Sequence, residues 1–212
     1  MRPVEPEDVV RGQFRGYRSE KGVSPDSQVE TFAALRLYID DWRWGGVPFY
    51  ILAGKCLPFT ATEVFVQLKK PPQKVFDDGG TGRPNYFHFR LTPDVFISLG
   101  GRTKIPGEAM VGQPVELLAC QDSGGETSPY ARLLHDAIRG DPILFGRQDG
   151  VEAAWRVVDP ILEAATPVYE YEPGTWGPPE ADRIIDRAGW HRPGKVESPP
   201  RGLQESCSGL RP

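Results

Sequence analysis

The strongest constraint on the fold is a two-residue periodicity that recurs along the chain from about position 33 to position 92. Ala33, Leu35, Leu37 and Ile39 alternate with Ala34, Arg36, Tyr38 and Asp40. Val64, Val66 and Leu68 alternate with Glu63, Phe65, Gln67 and Lys69, and Phe87, Phe89 and Leu91 with Tyr86, His88, Arg90 and Thr92. Successive side chains of a strand point to opposite faces, so each apolar set is expected on one face of a sheet. Shorter apolar runs at 49–53, 95–99 and 115–119 give further strands. The expected breakers are Gly45-Gly46, Pro71-Pro72, Gly79-Gly80, Gly100-Gly101 and Pro106-Gly107. No connection between Phe49 and Ala119 has a helical pattern. Parallel strands need long crossovers, so the sheet is expected to be mostly antiparallel.

Helical patterns begin only after these strands. Ser128 can cap a helix with Pro129 at its first position, and Tyr130, Leu133, Leu134, Ala137 and Ile138 then share one face before Gly140 stops it. Asp149 and Glu152 have capping-box spacing at the head of a stripe of Val151, Ala154, Trp155, Val158, Ile161, Leu162 and Ala165, which Pro160 should kink. Trp155 is expected in the core. Pro178 or Pro179 opens a last helix lined by Ala181, Ile184, Ile185 and Ala188, with Gly189 after it. Strands followed by helices define the expected fold class: α+β, a large mostly antiparallel sheet with helices packed on one face.

The 212 residues suffice for one domain, expected over 1–192, with a tail at 193–212. That tail holds four prolines and three serines with almost no large apolar residue, so it is expected to be disordered. No run of apolar residues is long enough to span a membrane, and Met1 is followed by no apolar h-region, so no signal peptide is expected. A net charge of -4 gives no reason to expect nucleic acid or a membrane surface as partner. The three cysteines, Cys56, Cys120 and Cys207, are widely spaced, which fits free thiols in a reducing compartment, the cytoplasm.

Chemistry-bearing motifs are sparse. Gly79-Gly80-Thr81-Gly82 is followed by a strand and not by a helix, which argues against a phosphate cradle. His88, His135 and His191 are scattered and read as surface or rim residues. Cys56 reads as a small buried filler, and Asp40-Asp41 and Asp77-Asp78 as solvated turns without metal-loop spacing. Trp42 and Trp44 share a parity and are expected on one sheet face or against another domain. On these grounds alone the role of the domain stays open.

Short strings along the chain carry a resemblance. They are Val10-Arg11-Gly12-Gln13-Phe14, Glu30-Thr31-Phe32-Ala33-Ala34, Trp42-Arg43-Trp44-Gly45-Gly46-Val47-Pro48-Phe49, and Ala53-Gly54-Lys55 with Thr62-Glu63-Val64. They continue with Tyr130-Ala131-Arg132-Leu133-Leu134-His135-Asp136-Ala137, Glu152-Ala153-Ala154-Trp155-Arg156, and Trp176-Gly177-Pro178-Pro179-Glu180-Ala181-Asp182. Together, in order, they resemble the carboxyl-terminal half of the glucose-6-phosphate dehydrogenase family. The resemblance implies oxidation of glucose 6-phosphate with hydride passed to NADP, in the oxidative pentose phosphate pathway. It implies that the coenzyme is bound mainly by an amino-terminal Rossmann half, which also carries the catalytic histidine–aspartate pair. Neither motif occurs here, so the chain is expected to be a fragment, inactive alone, with no catalytic residue of its own.

The family's glycine–lysine motif maps to Lys55, which the resemblance makes a substrate-binding residue for glucose 6-phosphate. A hydrated ammonium with three donors suits hydroxyl and phosphate oxygens. Many members carry an arginine five residues later, where this chain has Thr60. Of the basic positions around a structural NADP in some members, Arg90 is matched, whereas Leu52, Ala61, Phe65 and Trp176 are not basic. No structural NADP site is expected. The resemblance also implies a homodimer through the sheet. The aromatics at the nominally outer positions, Tyr38, Phe65, Tyr86 and Trp42 or Trp44, are too many for a solvated face and are expected at that contact. The alternative is a non-catalytic binding or dimerisation module that keeps the fold.

Overall fold

The computed structural model describes residues 1–73, 75–76, 84–120, 128–162, 166–186 and 189–194. Among the described residues, eight strands and two α-helices follow one another: β1 (Val9–Phe14), β2 (Phe32–Tyr38), β3 (Pro48–Gly54), β4 (Thr62–Gln67), β5 (Tyr86–Thr92), β6 (Phe96–Lys104), β7 (Gly112–Cys120), α1 (Pro129–Arg139), α2 (Gln148–Val158) and β8 (Val168–Tyr171). The fold class is α+β and mostly antiparallel, with the strands shared between two four-stranded sheets. The chain forms two compact units, Met1–Pro58 with Thr127–Arg192, and Phe59–Glu126 with Pro193–Pro212.

The first unit holds the sheet β3-β2-β1-β8, in which only the β1–β8 pair is parallel. β1 carries no alternation because five consecutive residues, Val9 to Gln13, are all buried. Two of the five are polar, and each is satisfied. Arg11 donates to the Glu30 carboxylate and to the carbonyls of Gln28 and Thr166. Gln13 Nε2 donates to the carbonyls of Ser27 and Val29. Buried polar groups with partners can lie in a strand core, and this is why period two does not reveal β1.

Val10, Phe32 and Ala34 pack with Tyr171, Ala181 and Ile184 on one side of this sheet. Val9 and Leu37 pack with Val4 and Ile161 on the other. The parity expected of β2 is thereby doubled: Ala34 is as deeply buried as any residue of the unit, because both faces are covered.

The helices depart from expectation at their ends. Gly140 closes α1 with a positive φ, as the sequence predicts, but Ser128 makes no side-chain cap bond. Asp149 and Glu152 form no capping box. The helix starts one residue before Asp149, whose carboxylate accepts from Gly150 N–H and pairs with Arg147, while Glu152 accepts from Gln148. Pro160 ends α2 and does not kink it, and residues Asp159–Ile161 form a 3-10 turn. The last expected helix is a 3-10 segment, Pro179–Arg183, that buries Ala181. Trp155 is not core: it is 56% exposed, in company with Tyr130, Leu134 and Ile138 of α1. Trp42 and Trp44 sit in the β2–β3 turn and not on a sheet face; Trp42 is fully exposed and Trp44 stacks edge-on to Phe49.

The second unit holds the sheet β4-β5-β6-β7, antiparallel throughout. Its burial inverts the expectation. The cross-strand rows Val64–Phe89–Ile97–Ala119 and Val66–Phe87–Leu99–Leu117 share one face. That face is open: Val64, Val66, Phe87, Ile97, Leu99 and Leu117 are all exposed. The covered parity is the polar and aromatic one. Phe65 stacks on Tyr86, and Arg90, Phe96 and Ser98 are buried. His88 is no surface histidine; it lies against Glu63, with 12% of its side chain accessible.

Gly100-Gly101 is not a breaker. It lies inside β6, where a Cβ at Gly100 would fall within the ring of Tyr86 across the ladder. Pro106-Gly107 does mark the β6–β7 turn, with a positive φ at Gly107. The motifs Gly79-Gly80-Thr81-Gly82 and Asp77-Asp78, together with Ala165, Ala188, Cys207 and residues 195–212, lie outside the described residues.

Candidate functional site at the end of strand β3

Lys55 is the first residue after β3, and its side chain is exposed. Its backbone is held from both sides. The Lys55 N–H donates to the Thr31 carbonyl at 2.8 Å, which carries the β2–β3 ladder one step past the strand end. The Lys55 carbonyl accepts from the Tyr171 hydroxyl at 2.7 Å. The next residue, Cys56, turns the chain with a φ of 53°, and its carbonyl accepts from Gly174 N–H at 2.7 Å. A positive φ on a side-chain-bearing residue needs surrounding bonds to hold it, and the Gly174 bond is one. Cys56 is exposed, which corrects the buried-filler expectation: a residue forced into this turn points outward.

The partners of Lys55 are themselves pinned. The Thr31 N–H donates to the Gly12 carbonyl, and Thr31 Oγ1 accepts from Phe14 N–H and lies 3.3 Å from the Tyr171 hydroxyl. Tyr171 is 4% exposed, with its ring against Phe32 at 5.5 Å between centroids. Burial pushes its phenol above the ordinary value, against the opposing effect of the Thr31 hydrogen bond, so the hydroxyl keeps its proton and donates. Gly54 lacks a side chain because a Cβ there would press on the Phe32 ring at 2.8 Å.

These features give an ammonium on a rigid base, a geometry suited to anionic or hydroxylated ligands. Thr60, where an arginine is common in the family, is exposed and offers no charge. Arg90 is already committed. It is 3% exposed, donates to Glu63 and to the Gly194 carbonyl, and lies over the rings of Phe59 and Phe96. A guanidinium neutralised by a buried carboxylate is poorly placed to clamp a nucleotide phosphate.

Sequence reasoning pointed to Lys55 but not to Tyr171, Thr31 and Gly174, which hold the backbone at Lys55 and Cys56. The run Val168–Tyr171 after Pro167 was a signal for a strand there, although four residues are a short one.

The fold and the strand-end lysine define a mostly antiparallel α+β domain that presents an exposed lysine on an anchored backbone. The chain belongs to the family "Glucose-6-phosphate dehydrogenase, C-terminal domain", which matches residues 1–192. It is 41% identical over 215 residues to glucose-6-phosphate 1-dehydrogenase of Aggregatibacter actinomycetemcomitans, covering 91% of this chain and 43% of that protein. It is 37% identical over 197 residues to glucose-6-phosphate 1-dehydrogenase 1 of Mycobacterium tuberculosis (strain ATCC 25618 / H37Rv), covering 91% and 42%. The crystal structure of glucose-6-phosphate 1-dehydrogenase from Mycobacterium avium superposes with a TM-score of 0.80 at 37% identity, over 92% of this chain and 42% of that one. A glucose-6-phosphate dehydrogenase solved in complex with its substrate glucose 6-phosphate gives 0.75 at 28% identity, over 91% and 43%. The chain thus spans less than half the length of these relatives.

Proposed function

We propose that this chain is the substrate-side half of an NADP-dependent glucose-6-phosphate dehydrogenase, in which Lys55 binds the sugar phosphate. The observation that carries the reading is the exposed Lys55 side chain on a backbone anchored at both its N–H and its carbonyl. A relative of the same fold has been solved with glucose 6-phosphate, which supports that choice of ligand. In this reading the coenzyme and the proton-abstracting groups come from a Rossmann half, and the 212-residue chain alone does not turn over. The reaction is the oxidation of glucose 6-phosphate to its 6-phospho-lactone, in the cytoplasm. The open face of β4–β7 is the homodimer surface, since a contiguous apolar patch of this kind marks an interface.

The test replaces Lys55 in a chain joined to a Rossmann half. Loss of one charge-assisted contact costs about 1.5–3 kcal/mol, so Lys55→Ala should weaken sugar-phosphate affinity roughly 10- to 100-fold while unfolding is unchanged. An unaltered Michaelis constant and turnover would return Lys55 to an ordinary surface lysine. Steady NADPH formation by the 212-residue chain alone would refute its inactivity.

A further inference from the structure

We infer that Tyr171 is a positioning residue for substrate binding: its hydroxyl, clamped on the Lys55 carbonyl, sets the direction of the lysine side chain. The inference rests on the reading of Lys55 as a sugar-phosphate ligand and adds the group that aims it. Lys55 and Tyr171 are 116 residues apart in sequence, yet their bond is 2.7 Å and lies in the covered part of the first unit. β8 reaches this place because it pairs in parallel with β1, which sets Phe14 opposite Tyr171. The turn after β8 makes the second contact, from Gly174 N–H to the Cys56 carbonyl at 2.7 Å. Gly174 has a φ of 81°, and that turn is closed by Thr175 donating its N–H and its hydroxyl to the Glu172 carbonyl.

Two consecutive carbonyls, those of Lys55 and Cys56, are thus held by donors of one distant segment. The arrangement has a direct consequence for binding. A lysine on a mobile loop loses rotational and backbone freedom when it meets a ligand, and that loss lowers affinity. Here the backbone part is already ordered before any ligand arrives. The remaining freedom lies in the side chain alone. Tyr171→Phe keeps the ring against Phe32 and the buried volume, and removes only the donor.

The experiment is a titration of the 212-residue chain with glucose 6-phosphate, followed by the phosphorus magnetic resonance signal of the ligand, a readout that every variant shares. The wild type, Tyr171→Phe, Lys55→Ala and the double variant are compared. Loss of one neutral hydrogen bond should raise the dissociation constant of Tyr171→Phe about 3- to 10-fold. In the Lys55→Ala background the same change should have no further effect, because the group it aims is gone. An equal loss in both backgrounds would show a general structural role and overturn the inference, as would an unchanged dissociation constant in Tyr171→Phe.

Backbone amide exchange supplies a readout that needs no ligand. In Tyr171→Phe the Lys55 and Gly174 amides should exchange about 3- to 10-fold faster while those of Val10 and Ala34 keep their protection. Unchanged exchange at Lys55 and Gly174 would overturn the clamp. A wild type that leaves the glucose 6-phosphate signal unchanged would count against the ligand reading, and the amide data would then decide the clamp separately.

Discussion

The two units of this chain bury opposite kinds of surface. The first has apolar clusters on both sides of its sheet, built on Val10, Phe32 and Ile184 and on Val9 and Leu37. The second covers the face that carries Glu63, His88, Arg90 and Ser98, and leaves a face of valine, leucine, isoleucine and phenylalanine open. The first arrangement draws its stability from apolar area removed from water. The second depends on a paired charge, with 3% of the Arg90 side chain and 4% of the Glu63 side chain accessible. The lesson is that an alternating strand specifies two different faces but not which of them is covered. The open apolar face is the observation on which the proposed homodimer contact rests.

The largest expected effect strikes the first unit. Phe32 is 1% exposed and meets Tyr171, Gly54 and Gly177. Phe32→Ala should cost about 3–5 kcal/mol through lost transfer energy and a residual cavity. All five tryptophans lie in this unit, so urea unfolding followed by tryptophan fluorescence reads it selectively. A midpoint close to the wild type would mean that the unit does not depend on this core.

The next effect belongs to the second unit. Glu63→Gln keeps the shape but leaves Arg90 as a buried charge without its carboxylate. Removing one member of such a pair costs about 3 kcal/mol. Far-ultraviolet circular dichroism should show part of the sheet signal melting early, while the tryptophan signal stays near its wild-type midpoint. If both signals shift together, the units are one cooperative block and the contrast drawn above fails.

The smallest effect on folding, and the sharpest on association, concerns the open face. Leu117 is 64% exposed, so Leu117→Glu should change the unfolding midpoint of the isolated chain very little. A two-fold contact uses the same patch on both chains, so the substitution enters the interface twice and should abolish dimers in sedimentation equilibrium. Phe65→Glu is the control. The strand alternation led to Phe65 as a contact residue, but Phe65 stacks on Tyr86 on the covered face. It should therefore damage folding of the second unit before it affects association. Dimers that survive Leu117→Glu would exclude this face as the interface.

The sequence by itself determined the local features. Alternation located β2, β4 and β5, short apolar runs located β3, β6 and β7, Gly and Pro located most turns, Gly140 closed α1, and the absence of helical connections made the neighbouring strands antiparallel. These succeed because the residues responsible are near one another along the chain and act through backbone sterics. The glycine–lysine string also pointed to Lys55 without any coordinates. What only the tertiary structure decided is which parity is covered, that β1 and β8 are strands at all, and what holds Lys55. β1 escaped because Arg11 and Gln13 interrupt its apolar pattern, and their partners are supplied by a loop and by Thr166. The Lys55 clamp escaped because its donors come from Tyr171 and Gly174, more than a hundred residues downstream. Burial and hydrogen bonding between distant segments follow from how the elements pack in space, and a periodicity read along one strand carries no record of that packing.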